Sequence, residues 1–519
     1  MTTAAELARA VEAALAVVHG EPGVREAEVF AAENGHLLSR LSYTSHLPSN
    51  GLEEPKSTEA RGLGIRAVFE TAGGPLVGFG SEPSDLGPSG ARRALDKARR
   101  AAVRDPAFVD LPRPPAASPG LARYHDERLM AIDDARLAEL GWRLVNGALR
   151  TFQTSSRLAA LAGDDEGLRR LGLIVGGDVS ILQERMAIAS TASPRARTDE
   201  STLIASFVTA MVEARDAKGS GWSTGTRLDE FTDEAGVDAA QRAIDTCDGV
   251  RVPSGEYTVV LGRQPVADLL NNLIVPACMA GAFYSAATPF LGKLGRRVAH
   301  PSLTIYDHGA MPGLMGSKAI TCEGLPTGRT DLVRDGVLVG CLSSWYETRR
   351  LLGDPEVGTK LGVTGEAATR ALAPRNGFRF GDRGGRRFDV TPGVAASNVL
   401  VESPDAVGHD ELVRRVGDGL YIGRIWYTYP INGLSAGDFT CTVVADSYRI
   451  RDGRLAEPLR PNTLRIDDNI ATVLNNLVGV TKDVKGTIVW AADEVAYVPE
   501  IAVHGIRVRE IAAFMEGLS

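Results

Sequence analysis

The chain has 519 residues, of which 44% are hydrophobic and 24% charged, and its net charge at pH 7 is −8. At roughly 100–200 residues per domain, this length predicts two to four domains with substantial cores. The acidic balance argues against a nucleic-acid surface and against a polybasic membrane patch. The cysteines are scattered without a C-x-x-C pair, the first residues lack the basic start of a signal peptide, and no apolar run is long enough to span a membrane. These features predict a cytoplasmic protein.

The first region mixes helices and strands. Thr3 and Glu6 have the spacing of a capping box, ahead of apolar residues that recur at helical intervals. Residues 63–69 alternate between apolar and other positions and are followed by a Gly-Gly pair and a second apolar stretch, which predicts a β-hairpin. A helix is predicted to open at Pro88, and a longer one to run over about residues 133–152.

From about Leu168 the chain becomes rich in predicted strands. Asp-Gly pairs at 335–336 and 452–453 lie between alternating segments and predict hairpins. Helices are predicted near residues 237–246 and over 265–272, whereas the Gly/Ser stretch at 218–225 predicts a flexible break. The predicted fold class is α+β, with a mixed α/β N-terminal domain over residues 1–220 and a β-rich, largely antiparallel C-terminal domain over 221–519.

The histidines offer no metal motif. A hydrolytic zinc site needs three protein ligands and one open position, yet no histidine lies in H-E-x-x-H or H-E-x-x-x-H. His300 and His308 flank a proline, and a site that combined Asp307, His308 and Cys322 would depend on the fold alone. An exposed turn is the favoured interpretation of this segment. The run at 409–411 predicts the solvent-facing start of a helix.

Candidate nucleophiles are weak. Ser223 lies in a G-x-S-x-G match, but a nucleophile elbow requires a strand before the serine and a helix after it. The surrounding stretch reads as a flexible linker, and no histidine or acid is indicated as a partner. Cys278 lies in an apolar stretch and Cys441 in an alternating one, so both are predicted to be buried core thiols. No catalytic residue is therefore assigned, and no phosphate-binding loop is present.

A dense aromatic group occurs in the segment GLYIGRIWYTYPING. Two interpretations stay open, core packing at a strand or the wall of a peptide-binding cleft, because Tyr and Trp serve both. The second interpretation makes these side chains candidate substrate-binding residues: Tyr421, Trp426, Tyr427 and Tyr429.

Several segments, taken in order, resemble the TldD/PmbA peptidase family. In the first half these are AEVFAAENG and GLGIRAVFE. In the second half they are DLVRDGVLVGCLSS, TKLGVTGEAATR, SNVLVESP and INGLSAGDFTCTVVADSYRIRDGRLAEPLR, with Gly437–Asp438–Phe439 at the centre of the last. The resemblance implies an α/β N-terminal domain and a β-rich C-terminal domain that assemble as a dimer.

TldD-type members of this family carry HExxxH on a helix that follows a strand. The matching stretch here, EYTVVLGRQPVADLLNNLIVPACMAG, has Asn271 and Asn272 at the positions of the first His and the Glu, and Pro276 at that of the second His. An amide is no general base, and a proline side chain binds no metal. The family's third ligand, a cysteine near the C-terminal tail, has no counterpart after Val480.

The resemblance therefore implies a TldE/PmbA-type chain without a metal of its own. Its expected partner is a zinc-bearing TldD-like subunit, in a heterodimer or larger assembly whose substrate channel this chain helps to enclose. Asn271 and Asn272 join the aromatic group as candidate cleft residues. The expected substrates are peptide or amide bonds in unfolded or modified peptides or natural-product intermediates, with no nucleic-acid or membrane partner. Two alternatives stay open, an autonomous amide hydrolase or transferase that uses Ser223 or a cysteine, and a non-enzymatic homodimeric binding protein.

Overall fold

The computed structural model describes residues 2–47, 50–115, 120–380, 385–489 and 495–511. Its helices are α1 (Ala4–His19), α2 (Pro88–Arg100), α3 (Glu127–Met130), α4 (Asp134–Thr154), α5 (Ser156–Ala162), α6 (Asp165–Arg170), α7 (Glu234–Asp245), α8 (Arg263–Leu269), α9 (Val275–Ala277), α10 (Ala280–Tyr284), α11 (Trp345–Leu352), α12 (Val357–Leu361), α13 (Gly365–Ala371), α14 (His409–Val416) and α15 (Ile470–Asn475).

The strands of the first half are β1 (Val24–Thr44), β2 (Gly51–Leu52), β3 (Lys56–Phe69), β4 (Leu76–Pro83), β5 (Leu173–Ser190), β6 (Ser193–Val212) and β7 (Ala217–Gly225). Those of the second half are β8 (Gly255–Leu261), β9 (Thr304–His308), β10 (Arg329–Arg334), β11 (Val337–Leu338), β12 (Gly377–Phe378), β13 (Gly393–Val394), β14 (Asn398–Glu402), β15 (Gly419–Ile422), β16 (Arg424–Pro430), β17 (Asp438–Ala445), β18 (Tyr448–Arg451), β19 (Arg454–Pro458), β20 (Leu464–Asn469), β21 (Leu477–Val480), β22 (Lys485–Thr487), β23 (Val495–Val498) and β24 (Ile501–Glu510).

The first half forms a seven-stranded antiparallel sheet in the order β4-β3-β1-β5-β6-β7, with β2 paired to β1. Successive side chains of a strand point to opposite faces, and β1 uses both. Val29 packs in a core with helices α1 and α2, whereas Phe30 packs with Ile320 and Phe378 of the second half. The sheet is therefore covered by helices on one face and by the second half on the other.

Most local predictions for the first half are confirmed. The capping box is present, since the Thr3 hydroxyl accepts from the Glu6 amide at 3.2 Å and the Glu6 carboxylate accepts from the Thr3 amide at 2.7 Å. Strands β3 and β4 form the predicted hairpin, and helices α2 and α4 occupy the predicted segments.

The predicted flexible break at 218–225 is wrong, because these residues form strand β7 at the edge of the sheet. The glycines serve close packing instead of flexibility. A Cβ at Gly219 would lie 2.2 Å from the carbonyl oxygen of Ala239, and one at Gly221 would lie 2.0 Å from that of Ala235, both on helix α7. Strand β7 also spans the predicted domain boundary at residue 220, which stays a prediction.

The second half is built on two larger sheets. A nine-stranded sheet has the order β16-β17-β20-β24-β8-β15-β18-β19, with β21 on β24, and a six-stranded sheet has the order β11-β10-β9-β14-β23-β22. Only β8–β15 and β14–β23 pair in parallel in the described part of these sheets. Both Asp-Gly hairpins form, and their turn residues Asp335, Gly336, Asp452 and Gly453 have positive φ. The predicted α+β fold class is confirmed.

Buried ion pairs join the two halves. Their side chains are almost inaccessible to solvent: Glu28–Arg379, Glu184–Lys318 and Asp199–Arg386. A buried charge that loses its partner is costly, so these pairs tie the first sheet to the second half. Within the described residues, no helix has the length and apolar character needed to cross a bilayer.

Candidate functional site

Helix α8 leads into the segment that contains the predicted cleft residues Asn271 and Asn272. It ends at Leu269 and continues as a π-helical turn over Leu270–Ile274, followed by α9. Pro276 accounts for this change, because it has no amide hydrogen and its ring would clash with the carbonyl group four residues earlier. A wider turn accommodates the proline, and such π-helical turns are frequent at functional sites.

Asn271 and Asn272 lie side by side on this turn in different environments. Asn271 is 8% exposed, and neither its amide nitrogen nor its carbonyl oxygen has a hydrogen-bond partner among the described residues. Asn272 is exposed, and its amide donates to the backbone carbonyl of Asp268 at 2.9 Å and to the Asp268 carboxylate at 3.3 Å. A buried amide without a partner is uncommon in folded proteins, and this makes Asn271 a candidate contact for a ligand or a partner chain.

Asp268 is a site residue that sequence reasoning missed. Its carboxylate is buried on α8, one turn before Asn272, and accepts a hydrogen bond from the Thr428 hydroxyl of strand β16. Burial raises the pKa of Asp268 to about 6, although the Thr428 hydrogen bond and the charge of Arg424 oppose this shift. The available signal was a single acid within the otherwise apolar run PVADLL.

Strand β16 packs directly against this helix. The backbone amide of Ile425 donates to the side-chain oxygen of Gln264 on α8 at 2.9 Å, and the Thr428–Asp268 contact continues the junction. β16 is also the last strand of the nine-stranded sheet, since its only strand partner among the described residues is β17. Helix α8 therefore occupies the outer edge of β16 at Ile425, and the exposed residues further along the strand extend this surface.

Three of the predicted aromatic residues lie on this strand. Tyr427 and Tyr429 are 61% and 51% exposed, and Trp426 is half-buried. The Tyr427 ring centroid lies 6.2 Å from those of both neighbours. Core packing therefore does not describe Tyr427 and Tyr429, and their contact with a substrate stays a prediction.

Tyr427 also has an unusual backbone. Its φ is +56°, and the register of the β16–β17 pair shifts between Trp426 and Tyr429. Bulges of this kind redirect side chains at sheet edges. A bulky residue in the left-handed region is strained, and such strain concentrates at functional positions.

Tyr421, the fourth aromatic residue, lies elsewhere. Its hydroxyl donates to Glu500 at 2.9 Å inside a cavity between the two halves, where His409 Nδ1 lies 2.6 Å from the same carboxylate. The hydrogen bond to Glu500 raises the pKa of His409. Helix α14 begins at His409 as predicted, but the His409 side chain is half-buried against Glu500 and does not face solvent freely.

The segment around His308 forms no metal site in the described chain. Asp307 is buried and accepts hydrogen bonds from Asn376 and Ser397, and burial raises its pKa to about 6. Cys322 lies in an apolar cluster with Phe378. Asp307 is therefore a structural acceptor, and Cys322 is a core thiol whose pKa burial raises to about 12.

One group of potential metal ligands lies on the first half. His125, Glu127 and Glu200 have ligand atoms within 4.8 Å of one another. The Glu127 side chain is 80% exposed, and Glu200 is already paired with Arg185 at 3.0 Å. This arrangement is typical of a surface ion-pair cluster.

The candidate nucleophiles are held in structural contacts. Ser223 lies within strand β7, and its hydroxyl is 2.8 Å from that of Ser206 on the neighbouring strand. This is not the strand-turn-helix geometry of a nucleophile elbow. Cys278 and Cys441 are buried, as predicted, and burial raises the pKa of both thiols, that of Cys278 to about 12.

Comparisons with known proteins converge on one family. The family model described as PmbA/TldA metallopeptidase C-terminal domain matches residues 254–510. A metalloprotease of Methanothermobacter thermautotrophicus is 26% identical over 254 residues, which are 49% of each chain. A metalloprotease of Synechocystis is 28% identical over 259 residues, which are 49% of this chain and 48% of that protein. The chain thus matches about half the length of these curated relatives.

Structural similarity to known proteins covers more of this chain than sequence similarity does. The crystal structure of TldE from Thermococcus kodakarensis superposes with a TM-score of 0.75 at 15% identity and covers 95% of this chain and 99% of that one. The likeness extends to the first half, where the family model has no match.

Proposed function

Because this chain belongs to the TldD/PmbA family, we propose that it is a non-catalytic, TldE-like subunit that pairs with a zinc-bearing TldD-like chain. The complex would hydrolyse peptide or amide bonds in unfolded or modified peptides or in natural-product intermediates. The observation that carries the proposal is the segment from α8 to α9, which has Asn271, Asn272 and Pro276 at the positions of the family's metal motif.

These side chains do not fit a zinc ion. Zinc in proteins is bound by imidazole, thiolate or carboxylate groups, and two neutral amides and a proline supply none of them. The segment nevertheless keeps a helical path and presents Asn271 as a buried amide with both hydrogen-bonding groups available. This supports a role in contact with a substrate or a partner chain and not in metal chemistry.

The exposed part of β16 beyond Ile425 supports a peptide as the ligand. An extended peptide can add to an exposed strand edge through main-chain hydrogen bonds, while side-chain contacts provide selectivity. The exposed rings of Tyr427 and Tyr429 lie on that strand, and Asn272 lies on the helix packed against it. Tyrosine is among the residues enriched at binding surfaces.

The geometry of Ser223 counts against an autonomous hydrolase. Its hydroxyl faces Ser206 within a regular sheet, and no histidine or acid approaches it among the contacts of the described chain. The buried cysteines are equally unsuited, because their raised pKa values keep them protonated.

The test is to purify the chain alone and after co-expression with a TldD-like partner, and to measure zinc content, native mass and cleavage of a fluorogenic unfolded peptide. We expect zinc and cleavage only in the heteromer, with about one metal per catalytic site. A partner whose HExxxH glutamate is changed to glutamine is the control and should pair without cleaving.

Each alternative has a distinct outcome in this experiment. Cleavage by the isolated chain would establish the autonomous hydrolase and refute the proposal. A stable homodimer that never pairs with the TldD-like chain would favour the binding protein. Stoichiometric zinc in the isolated chain would also overturn the proposal, since it would require a site that the α8 segment does not provide.

A further inference from the structure

A separate cavity lies where the two halves meet, at the start of helix α8. Its lining comes from β7 and α7 of the first half and from α8, α14, β15 and β18 of the second. The cavity has a volume of about 180 Å³, and for comparison an apolar protein cavity of about 150 Å³ accommodates benzene. Junctions of this kind are common places for small-molecule sites.

The two carboxylates of the cavity already have their partners. Asp446 accepts from the backbone amide of Ser220 at 3.1 Å and from the Ser220 hydroxyl. Glu500 accepts from Tyr421 at 2.9 Å and is 2.6 Å from His409 Nδ1. Neither carboxylate therefore needs a cation from a ligand.

Two hydrogen-bond donors of the lining have spare capacity, whereas Arg242 is already paired with Asp238 at 3.7 Å and donates to the backbone carbonyl of Ser220. Trp222 is 5% exposed and lines the cavity, yet no group in the described chain accepts a hydrogen bond from its indole nitrogen. Arg263 donates to the backbone carbonyl of Asp483 at 3.2 Å; its charge helps to lower the pKa of Glu500, but the described residues show no direct ion pair between the two. The guanidinium of Arg242 lies over the Trp222 ring at 5.4 Å.

These donors indicate the charge of a ligand that the cavity would bind. A buried N–H group without an acceptor requires an explanation, and an arginine whose guanidinium has no carboxylate in direct contact can still bind an oxyanion. The aromatic walls define its shape, since the rings of Tyr421 and Tyr448 lie 6.3 Å apart in the same lining as Trp222.

We propose that this cavity binds a small carboxylate that carries a planar or aromatic group. The oxygens would accept from the Trp222 indole and from Arg263, while the flat portion would contact the aromatic walls. This site is separate from the surface formed by Asn271 and strand β16, and it does not depend on pairing with a second chain.

The test is calorimetric titration of the purified chain with benzoate, with benzamide as a neutral probe of the same shape and inorganic phosphate as an oxyanion without a ring. We expect saturable binding of benzoate and none of benzamide at the same concentration. Trp222→Phe keeps the ring but removes the N–H group, and Arg263→Met removes the charge, so each should weaken benzoate binding at least about tenfold.

Matched controls are Trp142→Phe and Arg195→Met, which change exposed residues of the first half and should leave binding unchanged. Far-ultraviolet circular dichroism and the melting temperature would confirm that every variant is folded. Failure of the wild-type chain to bind benzoate would overturn the proposal, as would equal binding of benzamide or unchanged binding in both cavity variants. Binding of phosphate without benzoate would overturn the assignment of a planar carboxylate.

Discussion

Two polar regions of this molecule are buried to a similar degree and organised in opposite ways. Between the halves, each charge faces an opposite charge, as in Asp199–Arg386 at 2.7 Å and Glu28–Arg379 at 2.7 Å. At the α8–β16 junction, Asp268 has no cationic partner in hydrogen-bond contact, and Asn271 has no partner at all among the described residues. In the first region every charge has an opposite charge beside it, although Glu184 Oε1, Arg379 Nε and Arg386 Nε have no hydrogen-bond partner within the described chain; in the second region no opposite charge is in contact.

The contrast distinguishes buried polar groups that hold the fold together from buried polar groups that serve binding. A buried network in which each charge is paired with an opposite charge holds two layers in one arrangement, and removing one partner is costly. An unsatisfied buried polar group lowers stability by about 1–3 kcal/mol, and groups that break a packing rule in this way concentrate at functional sites. The two regions should therefore respond to mutation in opposite directions, and the following predictions test this difference.

The largest effect is expected from Arg386→Met in the first region. The change leaves Asp199 and Glu184 buried without this cation, so the free energy of unfolding should fall by about 3–5 kcal/mol. Urea denaturation followed by circular dichroism measures it. Arg387→Met is the control, because the pair of Arg387 with Asp389 is partly exposed and its loss should cost about 1 kcal/mol or less. Equal losses in both variants would refute the structural role of the network.

The next effect is a pH dependence at Asp268. Its pKa of about 6 lies above the ordinary value of 3.8, so the folded state holds this proton more tightly than the unfolded state does. The resulting stability is complete below pH 3.8 and is lost as the pH rises through 6. Asp268→Asn removes this dependence while keeping an oxygen for the Thr428 hydroxyl.

The variant should therefore gain stability relative to the wild type between pH 4 and pH 7, by up to roughly 3 kcal/mol. Urea denaturation at several pH values measures the gain, and each wild-type measurement serves as the reference at its own pH. A difference between the two proteins that is constant with pH would contradict the buried state of Asp268.

A smaller effect is expected at Asn271, where one substitution should raise stability and lower activity. Asn271→Leu replaces an unpaired buried amide by an apolar group of similar size, and should raise the free energy of unfolding by about 1–2 kcal/mol. The same change, like Asn271→Ala, should lower peptide cleavage by the complex severalfold. Asn475→Leu is the control, because Asn475 stands in the similar run VLNNLV and its amide donates to Ala471. A destabilised Asn271→Leu would mean that the amide has a structural partner.

Elements held by contacts between neighbouring residues could be predicted from the sequence, whereas elements held by contacts between distant residues could not. Local signals were sufficient for the capping box at Thr3, the Asp-Gly turns and the helix that begins at His409, since these depend on neighbouring residues. Strand β7 was missed because its glycines are explained only by the approach of helix α7, which lies outside any local window.

The candidate site divides in the same way. The resemblance suggested Asn271, and the density of Tyr and Trp suggested the aromatic segment. Asp268 and the Trp222 cavity, in contrast, arise from contacts between residues more than 150 positions apart, such as Asp268 with Thr428 and Ser220 with Asp446. Tyr421 was grouped with its sequence neighbours, although the chain turns between β15 and β16 and sends it into the cavity.

The smallest effect separates strain from contact at Tyr427. Its positive φ is strained for any residue with a Cβ and free of strain for glycine. Tyr427→Gly should therefore be more stable than Tyr427→Ala, by about 1 kcal/mol. Tyr429 provides the control with the opposite sign: its φ is not positive within the same strand, so Tyr429→Gly should be less stable than Tyr429→Ala by about 0.5–1 kcal/mol.

Cleavage by the complex completes this comparison. If the Tyr427 ring contacts the peptide, both Tyr427 variants should lose activity equally, although one of them is the more stable protein. Activity that returned with glycine would show that the backbone shape of the bulge, and not the ring, is what the substrate requires. Equal loss of activity in both variants would mean that the strained tyrosine is kept for binding, because stability alone would favour its replacement.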